Sequence, residues 1–165
     1  MITIYTIGHS RHPAEAFTAL LRRHAIARLV DVRSHPTSRW APHFGKAALA
    51  RILAACAIDY RFLGGPLGGR PEGAELYTSD GSLDPVRRAK APDFQAGIDE
   101  LLVLAREQQT AILCAEEDPS RCHRRLLVAP ALRQRGATVV HVRGDGRLEP
   151  DAPAAPGPPQ LPLFR

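Results

Sequence analysis

Short apolar runs alternate with amphipathic segments along most of the chain. Five of the runs predict β-strands, because they are rich in β-branched or aromatic residues and lie between turn residues. The predicted strands are Ile2 to Ile7, Leu29 to Val32, Ile58 to Leu63, Thr110 to Cys114 and Thr138 to Val142. The segments between them predict helices, which include Lys46 to Ala57, Phe94 to Ala105 and Cys122 to Arg135.

The alternation of strands and helices favours an α/β domain, because parallel strands need crossover helices that cover both faces of a sheet. We therefore expect a Rossmann-like three-layer sandwich with a mainly parallel five-stranded sheet, in the order 3-2-1-4-5. The stretch from Gly64 to Pro92 follows no periodic pattern. Its glycine-rich start, Gly64 to Gly69, lacks the spacing of a phosphate-binding loop and predicts a flexible lid.

The composition changes after Gly146, since six of the 15 prolines lie in residues 150–165. A segment made mostly of Asp, Ala, Pro and Gly cannot build a core and predicts an extended linker. We therefore expect a folded domain over residues 1–148 and a flexible tail over residues 149–165.

The composition narrows the class of protein. Hydrophobic residues make up 44% and charged residues 24%, which excludes a wholly disordered or collagen-like chain. The net charge of +5 permits a nucleic-acid or phosphate partner without requiring one. Three cysteines match no disulfide framework, and neither a secretory signal nor an apolar run of roughly 18 residues is present. We therefore expect a cytoplasmic protein with reduced thiols and no membrane segment.

Polar side chains follow the carboxyl ends of the predicted strands, where open parallel sheets bind their ligands. The densest group follows the fourth strand, between Cys114 and Arg125. We predict Cys114 and Glu116 as the reacting groups, with His9 and His123 as proton-transfer groups. The predicted substrate- or phosphate-binding residues are Ser10, Arg33, Arg39, Arg121 and Arg124.

Two other interpretations of this group remain open. Cys114, Cys122 and His123 could bind a metal, with His9 as a fourth ligand, but their spacing is not a standard zinc pattern. We therefore favour a site without a metal or other cofactor. Alternatively, Cys114 is a small buried hydrophobe, while Glu116 and Asp118 cap the next helix.

Several motifs together resemble a known family. They are Gly8-His9-Ser10, Asp31-Val32-Arg33, Leu67-Gly68-Gly69, and Cys114-x-Glu116 followed by Cys122-His123-Arg124. This set is similar to a widespread bacterial family classed as a domain of unknown function, number four-eight-eight, over about residues 2 to 146. The resemblance implies a Rossmann-like α/β fold, but it implies no activity, because no reaction is established for the family.

The end of the tail resembles a second known element. Its residues Gln160, Leu161, Leu163 and Phe164 match the peptide by which bacterial replication and repair proteins bind the DNA polymerase sliding clamp, with Pro162 at the variable place. In such a peptide the glutamine forms hydrogen bonds in a polar notch, and the apolar side chains fill a groove.

These observations favour an enzyme that acts on DNA or nucleotides in DNA repair or replication and is recruited to the clamp by its tail. One alternative is a non-catalytic adaptor that binds a nucleic acid or a nucleotide. Another is a thiol-dependent enzyme for a small molecule, in which the tail has no such role.

Overall fold

The computed structural model describes residues 1–153, so the clamp-like peptide from Gln160 to Phe164 lies outside the described residues. The strands are β1 (Thr3–Gly8), β2 (Arg28–Asp31), β3 (Asp59–Phe62), β4 (Thr110–Cys114), β5 (Thr138–Val142) and β6 (Leu148–Pro150). They form one open sheet in the order β3-β2-β4-β1-β5-β6. The first five strands are parallel, and β6 pairs with β5 in the antiparallel direction.

Six α-helices accompany the sheet within residues 1–153. They are α1 (Ala14–Arg23), α2 (Lys46–Ala55), α3 (Gly64–Leu67), α4 (Pro85–Lys90), α5 (Pro92–Glu107) and α6 (Ala129–Gln134). A π-helical turn, Arg124–Val128, leads directly into α6. Within this described part, no helix has both the length and the apolar character needed to cross a membrane.

Two separate hydrophobic cores form on the two faces of the sheet. Leu29 and Leu113 join the core on the face that α1 and α2 cover, whereas Val30 and Ile112 join the core that α5 and α6 cover. This alternation is the period of two expected of a strand. The short runs are apolar throughout because both faces of the sheet are covered by helices.

The path of the chain reverses at β4. The connections after β1 and β2 pass through α1 and α2 on one face, whereas the connection after β4 passes through α6 on the other. β4 lies between β2 and β1. The connection that leaves β4 therefore runs on the opposite face of the sheet from the connections that leave its two neighbours. A crevice opens at such a point, and it is the usual ligand site of an open α/β sheet.

The predicted strand order is wrong, because β4 lies between β1 and β2 rather than outside β1. Strand order depends on how the crossover helices pack, which the pattern of a single strand does not encode. The predicted count of five strands omits β6. That strand has three residues and no apolar pattern, and its backbone hydrogen bonds to β5 place it in the sheet.

The sheet also continues past the expected boundary at residue 148. Glu149 and Pro150 belong to β6, and the backbone N–H of Asp151 donates to the carbonyl oxygen of Val139 at 3.0 Å. The buried carboxylate of Asp151 accepts a hydrogen bond from His141 Nε2 at 3.0 Å. Residues 149–151 are therefore anchored to the folded domain.

The glycine-rich segment from Gly64 to Gly69 is packed rather than a flexible lid. A Cβ at Gly64 would lie 2.0 Å from the carbonyl oxygen of Arg33, and one at Gly68 would lie 2.1 Å from Ser34 Oγ. The glycines allow this segment to approach the loop after β2 closely. That approach brings Gly69 and its neighbours to the carboxyl edge of the sheet.

We expect the substitution Gly64→Ala to lower the free energy of unfolding by about 2–3 kcal/mol, because the added methyl group forces the backbone near Arg33 to move. The matched control is Gly65→Ala, where the new Cβ would meet nothing within 4 Å. That substitution should change the stability by less than about 0.5 kcal/mol. Urea unfolding of both variants checks this, and equal losses would contradict the close packing at Gly64.

Candidate active site

A cleft of about 280 Å³ opens at the carboxyl end of β4. Its walls come from the loops after β2 and β4 and from the segment after α3. The lining residues are Arg33, Ser34, His35, Thr37, Gly69, Arg70, Cys114, Ala115, Glu116, Cys122 and His123. The fold thus brings four of the predicted site residues, Arg33, Cys114, Glu116 and His123, to one cavity.

The end of β1 supports the turn that carries Cys114. Gly8 pairs with Cys114 in the parallel register, and the backbone N–H of His9 donates to the Cys114 carbonyl oxygen at 2.9 Å. A Cβ at Gly8 would lie 1.7 Å from the carbonyl oxygen of Glu116. The turn from Cys114 to Glu116 therefore crosses directly over Gly8, and any side chain there would displace it.

Two thiols and one imidazole meet at the floor of the cleft. His123 Nδ1 lies 3.6 Å from Cys114 Sγ and 3.9 Å from Cys122 Sγ. The other ring nitrogen, Nε2, lies 3.1 Å from the carbonyl oxygen of Val32. Since a carbonyl oxygen only accepts, Nε2 carries a proton and fixes the orientation of the ring. In the neutral imidazole, the lone pair of Nδ1 then faces both sulfur atoms.

The two thiols have opposite pKa shifts. A hydrogen bond from Cys122 lowers the pKa of the Cys114 thiol well below its usual value, although burial opposes this; His123 lowers it further. Burial raises the pKa of the Cys122 thiol, and the neighbouring sulfur of Cys114 adds to that effect. Burial alone lowers the pKa of His123, but the charge of a Cys114 thiolate outweighs it and raises that pKa. Without a bound ligand, Cys114 is therefore the thiol that ionises first.

The structure separates the three adjacent carboxylates of the loop after β4. Glu117 forms a two-pronged ion pair with Arg143 at 3.0 Å and accepts the backbone N–H of Gly144 at 2.9 Å. Asp118 accepts the backbone N–H of Ser120 at 2.9 Å and so caps a short turn. These two carboxylates hold the loop in place. Glu116 is exposed and lines the cleft, so it is the carboxylate that can meet a substrate.

A buried polar network lies beside the cluster. Arg33 forms a two-pronged ion pair with Asp31, with distances of 2.9 Å from Nε and 2.7 Å from Nη2. The hydroxyl of Tyr60 donates to the same carboxylate at 2.7 Å. Arg33 Nη1 donates to His9 Nε2 at 3.2 Å. Arg33 is therefore held rigidly by Asp31 and His9, with its position on the cleft wall fixed.

His9 is buried and has both ring nitrogens engaged. Its Nδ1 donates to the carbonyl oxygen of Ser10 at 2.8 Å, because Nε2 must accept from Arg33. Burial lowers the pKa of His9 to about 4; the Ser10 carbonyl opposes this, and the charge of Arg33 adds to it. The ring is therefore neutral near pH 7. His9 is absent from the lining of the cleft and positions Arg33 instead.

The remaining predicted site residues lie outside the cleft lining. Arg124 is fully buried, and its Nη2 donates to the carbonyl oxygen of Glu117 at 2.6 Å. Within residues 1–153, its Nε and Nη1 atoms have no hydrogen-bond partner. Arg39 and Arg121 are exposed, and Ser10 is half-buried with its backbone bonded to His9 and Ala115.

Sequence reasoning missed several residues that build the site. Asp31 and Tyr60 were not among the predicted site residues, yet Asp31 holds Arg33 and Tyr60 donates to the same carboxylate. Gly69 lies against the ring of His123, where a Cβ would be 3.0 Å from Cγ. The Asp31-x-Arg33 spacing was a usable signal, because Asp31 ends β2 and the oppositely charged Arg33 follows two residues later, within reach of its carboxylate. Nothing in the sequence pointed to Arg143 as the partner of Glu117.

The neutral state of His9 predicts an acid-dependent loss of stability. Its pKa is about 4 in the folded chain and 6.5 ordinarily, so between these values the unfolded chain binds a proton that the folded chain does not. The free energy of unfolding should therefore fall as the pH drops from 6.5 towards 4, by up to about 3 kcal/mol from this residue. Urea unfolding across that range checks it: the His9→Gln variant should lose this part of the pH dependence.

The exposed residue His35 provides the control for this prediction. The His35→Gln variant should keep the pH dependence of the unsubstituted protein, because the imidazole of His35 is exposed to solvent. Parallel stability curves for the protein and its His9→Gln variant would contradict the assignment of a neutral His9.

Comparison with known proteins gives one match. The sequence model of the family described as Domain of unknown function DUF488 matches residues 13–130, a narrower range than the residues 2 to 146 expected from the motifs. The matched range contains Arg33, Cys114, Glu116, Cys122 and His123 but begins after His9. No curated protein and no solved structure matches the chain. Because the matched range covers more than half of the sequence, the chain belongs to the family Domain of unknown function DUF488.

Proposed function

We propose that this protein is an enzyme, with the cleft beside Cys114 as its active site, and that it acts on DNA or a nucleotide. One observation carries the proposal: two thiols, an imidazole and an exposed carboxylate converge on a single cavity where the chain path reverses. Cys114, Cys122 and His123 form the reactive centre. Glu116 transfers protons to and from the substrate.

The net charge of the chain and one cleft residue support an anionic substrate. Arg70 lines the cavity and the chain carries a net charge of +5, whereas the charge of Arg33 is paired with Asp31. A neighbouring groove of about 350 Å³ shares Ser34, His35 and Arg70 with the cleft, which suits a substrate longer than a single small molecule. Arg70 lines both spaces and can bind a phosphate group of a nucleotide or a DNA strand, whereas the carboxylates of Glu72 and Asp93 also line the groove and keep phosphates away from them.

We expect the substitution Glu116→Gln to reduce turnover by about 10²-fold or more, since it removes the proton-transfer group. The fold should be unchanged, because the side chain is exposed. Incubation with a panel of nucleotides and labelled single- and double-stranded DNA, followed by mass spectrometry of the products, measures the turnover.

The control for this prediction is Glu100→Gln, which changes an exposed carboxylate of α5 outside the cleft. That variant should keep full activity. Full activity of the Glu116→Gln variant would remove Glu116 from the mechanism. Binding of nucleotides or DNA without turnover of any would favour the non-catalytic adaptor. If the unsubstituted protein neither binds nor converts any nucleotide or DNA, the proposed substrate class is contradicted.

We also propose that the tail recruits this enzyme to the DNA polymerase sliding clamp during replication or repair. The support is the sequence of Gln160, Leu161, Leu163 and Phe164 at the end of a proline-rich segment. Such tethering raises the concentration of an enzyme near DNA without any new contact at its active site.

A labelled peptide of residues 150–165 should bind a bacterial sliding clamp with micromolar or lower Kd, about −8 kcal/mol or better. Fluorescence anisotropy measures this binding. The matched peptide with Gln160→Ala and Phe164→Ala should not bind, because it lacks the polar anchor and the aromatic side chain. Absence of binding by the unsubstituted peptide would contradict recruitment and leave the proposal for the cleft untouched.

A further inference from the structure

The reactive centre has the composition of a metal site. Cys114 Sγ, Cys122 Sγ and one ring nitrogen of His123 all lie within 4.8 Å of one another. Two thiolates and an imidazole are ligands that zinc prefers. Among residues 1–153, this is the one set of three histidine, cysteine or acidic side chains that meets so closely. Their spacing along the sequence is not a standard zinc pattern. The fold nevertheless brings Cys114, at the end of β4, close to Cys122 and His123 in the segment that follows.

The distances fit tetrahedral coordination. Zinc–sulfur bonds of about 2.3 Å and zinc–nitrogen bonds of about 2.0–2.1 Å place two tetrahedral ligand atoms about 3.6 Å apart. His123 Nδ1 lies 3.6 Å from one sulfur and 3.9 Å from the other. The two sulfur atoms lie within 4.8 Å of each other, against about 3.8 Å in a tetrahedral zinc site, so a single ion can contact all three atoms once the sulfurs move closer by up to about 1 Å.

The surroundings of His123 are those of a metal-binding imidazole. Its Nε2 donates to the Val32 carbonyl oxygen at 3.1 Å, which leaves the lone pair on Nδ1. Histidine ligands of metals usually donate their second ring nitrogen in this way, which fixes the ring and its tautomer. Gly69 lies close to the ring, where a Cβ would be only 3.0 Å from Cγ of His123, so a larger residue at this position would press on the imidazole.

From this geometry we propose that Cys114, Cys122 and His123 bind one zinc ion. The buried charge of Arg124 bears on which fourth ligand such an ion would take. Its guanidinium is fully buried, and no carboxylate within the described part of the chain forms an ion pair with it. Two thiolates, Zn²⁺ and Arg124 together carry a net charge of +1, which leaves the centre ready for one more anionic ligand.

The fourth coordination position faces the cleft. His9 cannot fill it, because Ser10 and Arg33 already engage both of its ring nitrogens. The ligand set proposed here therefore has three protein ligands and does not include His9, which the sequence left open as a fourth. A site with three protein ligands and an open position is typical of catalytic zinc, which activates a bound water. This catalytic role rests on the proposed function, with Glu116 accepting the proton of that water; zinc binding itself does not.

The test is the zinc content of the purified, reduced protein, measured by inductively coupled plasma mass spectrometry. We expect one zinc ion per chain in the full-length protein. The variants Cys114→Ser, Cys122→Ser and His123→Gln should each lose the bound zinc. The matched control is Cys56→Ser, because Cys56 is the third cysteine and lies outside the cluster. It should retain the full zinc content.

A second measurement avoids variants that fail to fold. In the unsubstituted protein Cys114 and Cys122 are already buried, so the informative quantity is the rate of their reaction with N-ethylmaleimide, which a chelator should raise and added zinc should lower again. Mass spectrometry of the labelled peptides separates these two thiols from Cys56. No zinc after purification, combined with no uptake of added zinc, would overturn the proposal whatever the reaction rate of the buried thiols. A stoichiometric metal other than zinc would contradict its identity.

The Glu116→Gln variant separates the zinc site from the proposed enzyme. Glu116 is outside the ligand cluster, so this variant should bind zinc fully even though its turnover is reduced. Zinc bound by a protein that converts no nucleotide or DNA would leave the metal site standing and remove the proposed function. Turnover that persists after the zinc is removed by a chelator would leave the proposed function standing and remove the catalytic role of the zinc.

Discussion

The parallel pairing of β1 with β4 is the contact on which the site depends. Its register places Gly8 beside Cys114, and the absence of a side chain at Gly8 lets the turn to Glu116 cross the end of β1. The same pairing continues through His9, which contacts Arg33 and thereby joins the loop after β2. Three chain segments that are distant in sequence are thus held at one edge by backbone hydrogen bonds and a few buried polar contacts.

Much of the local structure could be predicted from the sequence. The bounds of β4 and β5 match the prediction, because short apolar runs between turn residues have few alternative structures. Cys114, Glu116 and His123 were correctly expected near one another, since they flank one strand-end loop. The order of the strands was not predictable, because β4 takes its place through the packing of helices from both halves of the chain.

The roles of charged residues were the least predictable part of the site. The sequence shows Glu116, Glu117 and Asp118 as three similar carboxylates, and only Arg143 on the distant end of β5 decides that Glu117 is structural. Arg124 resembled a phosphate-binding residue but is fully buried at the start of the π-helical turn, where it donates to the carbonyl oxygen of Glu117. Ion-pair partners far apart in sequence leave no local pattern, so only the folded chain can assign them.

The open sheet has two edges, and both discourage association with another sheet. At one edge, β3 carries the charged side chains of Asp59 and Arg61, which pair with each other at 3.0 Å. At the other edge, β6 is only three residues long and ends in Pro150, which has no backbone N–H to offer. Short, charged or proline-ended edge strands are poor templates for strand addition. A protein with such edges can be concentrated at one place in a cell with little tendency to aggregate through its sheet.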